Sequence, residues 1–141
     1  MEKIIKEYAL LLMKLSTEEK FAFLQLAQYV AKLDGEYGPK EREVIEEYCT
    51  EMGIENVEIT IELFHLESIL SVFKTAKSQK IAVLALMVLV HIDDKYGIYE
   101  HKVMYKIAQI FNLNEQQIHL FSMWGKAGSA LYEQAIIFTE V

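Results

Sequence analysis

The sequence is short of the residues that staple, break or thread a chain. Among 141 residues it has one cysteine, one proline, one tryptophan and six glycines. A single thiol, Cys49, cannot close an internal disulfide, so a cysteine-stapled secreted scaffold is excluded. So little Pro and Gly rules out collagenous and low-complexity chains, and 52 % hydrophobic residues rule out a disordered one. The longest apolar run, Ile81 to Val90, is about half of what a membrane-spanning helix needs. The opening Met1-Glu2-Lys3 has no basic region leading into a small-residue cleavage site. The expectation is a soluble, cytoplasmic, single globular domain over 1–141, able to bury roughly two thirds of its unfolded surface.

Positive charge is also scarce. The net charge is −7, and residues 1–70 carry 15 Asp/Glu against 7 Lys/Arg, whereas residues 71–141 are nearly balanced. Such a half repels phosphate backbones, which argues against nucleic acid and in favour of cations or a basic protein surface. The densest stretch is Glu41 to Glu62, where Glu43, Glu47 and Glu51 fall on one helical face. Like charges at that spacing cost a few tenths of a kcal/mol per pair. Either this is a solvated polar face, or it meets a partner.

What remains is helical. Apolar residues recur at helical spacing almost throughout, predicting an all-α globule of about seven helices. The first covers 2–14. Ser16 and Glu19 form a capping box that opens a second over 17–33, with Phe21, Leu24, Ala27, Val30 and Ala31 inward and Asp34-Gly35 as its end. Pro39 suits the first turn of a third helix, which Gly53 closes at Met52. Val57 to Leu63 alternates with the strand period, but no partner strand is evident and helical spacing resumes from Leu63 to Phe73. The reading is therefore a helix over 58–73. A fifth helix, 77–93, is apolar on every side and is expected at the centre. A sixth spans 98–112. A seventh, over 115–137, is capped by Asn114 with Gln117, and Gly125 and Gly128 are expected to bend or loosen it. Most of its Phe121, Met123, Trp124, Leu131, Tyr132, Ile136, Ile137 and Phe138 should be core, with any remaining apolar patch open to a partner or a membrane surface.

A shift of 59 residues lays one half of the chain on the other. Leu24 to Ile54 and Val83 to Leu113 each read as an apolar helix ending in Asp, then x-x-Tyr-Gly-x-x-Glu leading into a second helix. The matched residues are Asp34 and Asp93, Tyr37 and Tyr96, Gly38 and Gly97, Glu41 and Glu100. Four identities at fixed offsets mark an internally duplicated helix–turn–helix unit.

The run Leu-x-x-Ala-x-x-Val-Ala-x-x-Asp-Gly…Glu from Leu24 to Glu41 resembles the TerB-like family. That family includes tellurite-resistance proteins and a domain of DnaJ-type membrane co-chaperones. The second copy departs from the pattern, with Asp94 where glycine is usual. The resemblance covers about 16–120 and implies a non-enzymatic stress-response module of the tellurite-resistance type. It also implies a protein partner, membrane-associated ones included, and metal ligands at Asp34, Glu41, Asp93 and Glu100.

Chemistry at those four acids divides two ways. Carboxylates flanking a tight turn, with backbone carbonyls and water, suit Ca²⁺, Mg²⁺ or Mn²⁺, although the ligand spacing of an EF-hand is missing. Alternatively Glu41 and Glu100 are third-position helix caps and Asp34 and Asp93 bond their own turn backbones, with no metal at all. Tyr37 and Tyr96 are read as packing on the turns. A histidine-ligated site finds little support. His91 and Asp93 lie two apart, Glu100 and His101 are adjacent, and Glu62-x-x-His65 occurs once where a di-metal bundle needs it twice. His65 and His119 fall at the edges of packed faces, and Cys49 reads as a small buried hydrophobe. A phosphate-cradling glycine loop and a G-x-S-x-G elbow are absent from the sequence.

Overall fold

A computed structural model of the chain describes residues 11–33, 37–60, 63–92 and 97–139. Six helices lie within them: α1 (Thr17–Ala31), α2 (Pro39–Met52), α3 (Leu66–Leu70), α4 (Ala76–His91), α5 (Ile98–Ile110) and α6 (Glu115–Thr139). Residues 11–13 are helical too, while the rest of the expected 2–14 helix falls outside the described residues. No strand occurs among the described residues, so the all-α class stands.

The caps explain why these segments start and stop where they do. Ser16 and Glu19 form the reciprocal box: the Glu19 N–H donates to Ser16 Oγ at 3.2 Å, and the Ser16 N–H to Glu19 Oε1 at 2.9 Å. Fifty-nine residues on, Thr75 and Ser78 do the same for α4. Asn114 and Gln117 cap α6 in the same reciprocal way. The two matched boxes also touch. Glu19 and Ser78, 7 % and 6 % exposed, share a hydrogen bond, so α1 and α4 start side by side. Burial alone would raise the Glu19 carboxyl, but hydrogen bonds from Ser16, Ser78 and the Lys74 backbone outweigh it and hold the group below its ordinary value.

The duplication extends to the far end of each unit. Gly38 and Gly97 cap α2 and α5 with nearly the same backbone angles, φ/ψ −76/171 and −77/172. Gly53 and Asn112, again 59 apart, are the two positive-φ residues among those described, at 70° and 59°. Both ends close with the same pair of bonds. Ile54 N–H donates to Cys49 O (3.1 Å) and Leu113 N–H to Ala108 O (2.8 Å), while Gly53 and Asn112 donate to Thr50 O and Gln109 O. The duplicated helix pairs thus share their starts, the glycine caps of their second helices and their stops.

Burial follows from this pairing. Every residue of α4 from Ile81 to Val90 except Leu84 is buried, which makes it the central helix that its all-round apolar sequence implies. Tyr48 ties α2 to it by donating to Ala85 O at 3.0 Å, with its ring edge-on to Phe23. Phe21 does not face inward: it is 45 % exposed, and Phe23 and Leu26 take the core positions beside Leu24, Ala27 and Val30.

The segments after the two units differ, and here two expectations fail. Residues 54–60 form no helix, and among the described residues of the expected 58–73 helix only Leu66–Leu70 is α-helical. The cause is Gln28, fully buried on α1. Its Nε2 donates to Val57 O (3.0 Å) and Asn56 Oδ1 (2.9 Å), and its Oε1 accepts from the Ile59 N–H (2.9 Å). One side-chain amide thus pairs with residues two apart, as a neighbouring strand would, and the alternating stretch stays extended without a sheet. Tyr29 stacked on Phe64, centroids 4.2 Å apart, holds the following turn.

After the second unit the cover is α6, which packs along α4 more extensively than any other pair of helices. Gly125 and Gly128 do not loosen it. A Cβ on Gly125 would lie 2.5 Å from the carbonyl carbon and Cβ of Met87, so the missing side chain is what lets the two helices touch. Met87 is the 59-residue counterpart of Gln28, so both units are covered at the same place by different means. Beyond that contact α6 is less buried than expected: Met123, Trp124, Ile137 and Phe138 are all exposed.

Replacing Gly125 by alanine gains about 1 kcal/mol of helix propensity but drives a methyl group into backbone. The expected net loss is about 2 kcal/mol, measured by urea denaturation. Gly128→Ala should cost less, because its Cβ would meet only one Val88 methyl, at 3.1 Å. Equal effects at the two positions would contradict this account of the α4–α6 contact.

Candidate functional site

The two glycine-capped turns are the first place to look, because the sequence directs attention there. Glu41 is the third residue of α2, and its carboxylate folds back over the cap: a Cβ on Gly38 would lie 2.7 Å from Glu41 Oε2. An anion in the first helical turn meets the positive end of the helix and its unpaired N–H groups. Glu100 occupies the same position in α5 after Gly97, and the two carboxylates are 7 % and 8 % exposed. Asp34 and Asp93 lie outside the described residues, as does Tyr96. Among the described residues, no group of three or more His, Cys, Asp or Glu side chains is arranged to hold a metal ion. Tyr37 is partly buried against the core, with two cations at its ring. The Arg42 guanidinium sits 4.0 Å from its ring centroid and Lys32 Nζ 5.4 Å, while Arg42 Nε donates to the Tyr37 carbonyl at 3.1 Å.

The histidines and the thiol are occupied structurally. His91 Nε2 lies 3.0 Å from Ser122 Oγ, and Ser129 Oγ donates to the His91 carbonyl, so this residue ties α4 to α6. His101 tilts against Tyr105, and His65 and His119 are exposed. Cys49 is buried, and that burial, aided by Glu46, pushes its thiol up to about 11. At neutral pH it is not a thiolate nucleophile.

The outer face of α2 is acidic. Val44, Ile45, Tyr48, Cys49 and Met52 point into the core, which leaves Glu43 and Glu47 exposed and Glu51 partly so. Glu46 is held by Asn56, whose Nδ2 donates to its Oε1 at 2.6 Å. The duplicate helix carries the opposite charge. Lys102 and Lys106 stand where Glu43 and Glu47 do, and Ile110 replaces Glu51. The duplicated helix carries either sign at these positions, and in α2 the Glu43 and Glu47 carboxylates also act on the Tyr132 hydroxyl.

One site escaped the sequence. A cleft of about 210 Å³ opens between the start of α2 and the last turns of α6, lined by Lys40, Glu43, Ile92, Tyr132, Glu133, Ile136 and Ile137. Lys40 Nζ and Glu133 Oε1 pair at 3.0 Å, both partly exposed. Tyr132 is 9 % exposed, and its hydroxyl is sealed from solvent, with the Glu47 carboxylate beside it as an acceptor and no donor to its oxygen among the described residues. Burial pushes this hydroxyl well above the usual tyrosine range, and the Glu47 and Glu43 carboxylates push it further. The only hint in the sequence is spacing. Tyr132 and Ile136, like Glu133 and Ile137, are one turn apart, but nothing in that pattern says that α2 starts beside them.

A buried hydroxyl whose oxygen receives no hydrogen bond is a liability of about 1–3 kcal/mol. Tyr132→Phe keeps the ring and deletes the liability, so the unfolding midpoint should hold or rise. A clear drop would mean that the hydroxyl is bonded in solution. Comparisons of this chain with protein-family models, curated proteins and solved structures found no match.

Proposed function

We propose that the protein is a non-catalytic binding module that engages a basic protein segment on the acidic face of α2. The observation that carries this reading is the sign inversion between equivalent helices, Glu43 and Glu47 against Lys102 and Lys106. Exposed carboxylates at four-residue spacing repel one another, and the duplicate helix carries lysines at the same positions. A surface kept acidic at some cost, in the half of the chain with 15 acidic and 7 basic residues, complements a cationic partner.

The test is a titration of a lysine-rich peptide onto the full chain at several salt concentrations. Binding should weaken steeply with salt. It should vanish in the combined Glu43→Lys, Glu47→Lys, Glu51→Lys variant, with the fold retained. Undiminished binding by that variant would overturn the reading. So would salt-sensitive self-association abolished by Lys102→Glu, because the partner would then be a second copy.

The TerB-like resemblance supports a second reading, a stress-response module of the tellurite-resistance type with a divalent cation at Asp34, Glu41, Asp93 and Glu100. The observation in its favour is that Glu41 and Glu100 are buried carboxylates at matching positions. Calorimetric titration with Ca²⁺, Mg²⁺, Mn²⁺ and Zn²⁺ tests it: heat lost in Glu41→Gln with Glu100→Gln supports a cation site, and a flat trace with all four ions removes it.

A further inference from the structure

The cleft at the α2–α6 seam combines three properties that together select a ligand. Its floor is apolar, from Ile92, Ile136, Ile137 and the Tyr132 ring, whereas its charged groups are two carboxylates to one ammonium, with Glu47 acting from behind. Its volume of about 210 Å³ is below the roughly 300 Å³ at which pockets for drug-sized molecules begin. At its edge is a tyrosine oxygen that lacks a donor.

We propose that this cleft binds a primary alkylammonium group, its aliphatic stem on Ile92, Ile136 and Ile137 and its ammonium shared between Glu43 and the Tyr132 hydroxyl oxygen. An ammonium offers three donors and no acceptor, so it can satisfy a carboxylate and a phenol oxygen together. A carboxylate ligand would face Glu43 and Glu133, and a purely apolar one would leave the hydroxyl oxygen without a donor. The hydroxyl is closed off as the structure stands, so a ligand reaches it only with a side-chain rearrangement in the cleft, whose exposed lining includes Glu43. A lysine side chain has this chemistry on a four-carbon stem, and so does a free alkylamine. The inference rests on the basic-partner reading only for the source of the ammonium. In that reading the cleft receives an anchoring lysine, while neighbouring cations lie along Glu47 and Glu51.

The experiment is an amide-resolved NMR titration of the full chain with n-butylammonium chloride, beside n-butanol and sodium butyrate. The inference expects saturable shifts at Ile92, Tyr132, Ile136 and Ile137 with the amine, weaker ones with the alcohol and none with the carboxylate. Tyr132→Phe, which keeps the floor, should weaken the amine about tenfold, the size of one hydrogen bond to a charged group. Equal shifts from all three compounds, no shifts from the amine, or undiminished amine binding by Tyr132→Phe would each overturn it. The two proposals fail separately. A lysine-rich peptide that binds normally to a Tyr132→Phe variant that has lost amine binding sinks the anchoring lysine and spares the acidic face. Amine binding with no peptide binding sinks the acidic face and spares the cleft.

Discussion

The arrangement hangs on the backbone contact between Gly125 of α6 and Met87 of α4. α4 is the helix around which the rest is packed, and α6, at 25 residues, is the longest of the helices described. A glycine in mid-helix costs about 1 kcal/mol against alanine, and it is tolerated here because any side chain would strike the Met87 backbone. This contact fixes where the last turns of α6 run. Tyr132, Glu133, Ile136 and Ile137 are carried to the start of α2, and the Lys40–Glu133 pair joins the two. Were α6 to ride further out, the cleft would open into solvent and the acidic face of α2 would lose the wall beside it.

Duplication explains what is shared between the halves, and packing explains what is not. Starts, second-helix caps and stops recur because each is set by a few local hydrogen bonds or by particular backbone angles. The covers diverge at a single pair of matched positions. At Gln28 the cover is extended backbone, whose polar groups need partners, and a buried amide provides them. At Met87 the cover is a helix that satisfies its own backbone, so the core position is apolar and the demand shifts to closeness. Surface charge diverges as well, in the acidic and basic versions of one helix face.

Local physics was legible in the sequence, and long-range physics was not. The capping boxes at Ser16 and Asn114, Pro39 in the first turn of α2, and the Gly53 stop depend on neighbours within a few residues, so their spacing announces them. The path of 54–60 depends on Gln28, some thirty residues away, and an isolated polar residue in an apolar helix does not reveal what it will bond. Gly125 and Gly128 looked like weaknesses because their partner helix, α4, is about forty residues distant. Phe21 and Phe23 are both aromatic, and only the docking of α1 on α4 decides which turns inward. For the candidate site, the sequence singled out acids at the duplicated turns, of which Glu41 lies back over its own helix start. The cleft joins residues some ninety positions apart and has no sequence signature.

The groups with nucleophilic or acid–base potential among the described residues are largely engaged in packing. Among the described residues, the thiol is buried and held protonated, and the one histidine tied into the interior joins α4 to α6. The remaining hydroxyls mostly serve as caps or bond backbone carbonyls. The cleft is too small to enclose a sizeable substrate, and its one unusual group is a tyrosine whose hydroxyl is pushed towards staying protonated, which makes it a poor acid and a serviceable hydrogen-bonding oxygen. Acceptors with few donors, set beside a row of exposed carboxylates, define what the surface lacks: cations presented on an apolar stem. Under the proposed reading a basic protein segment supplies both at once, and Glu43 belongs to the acidic face and to the cleft alike.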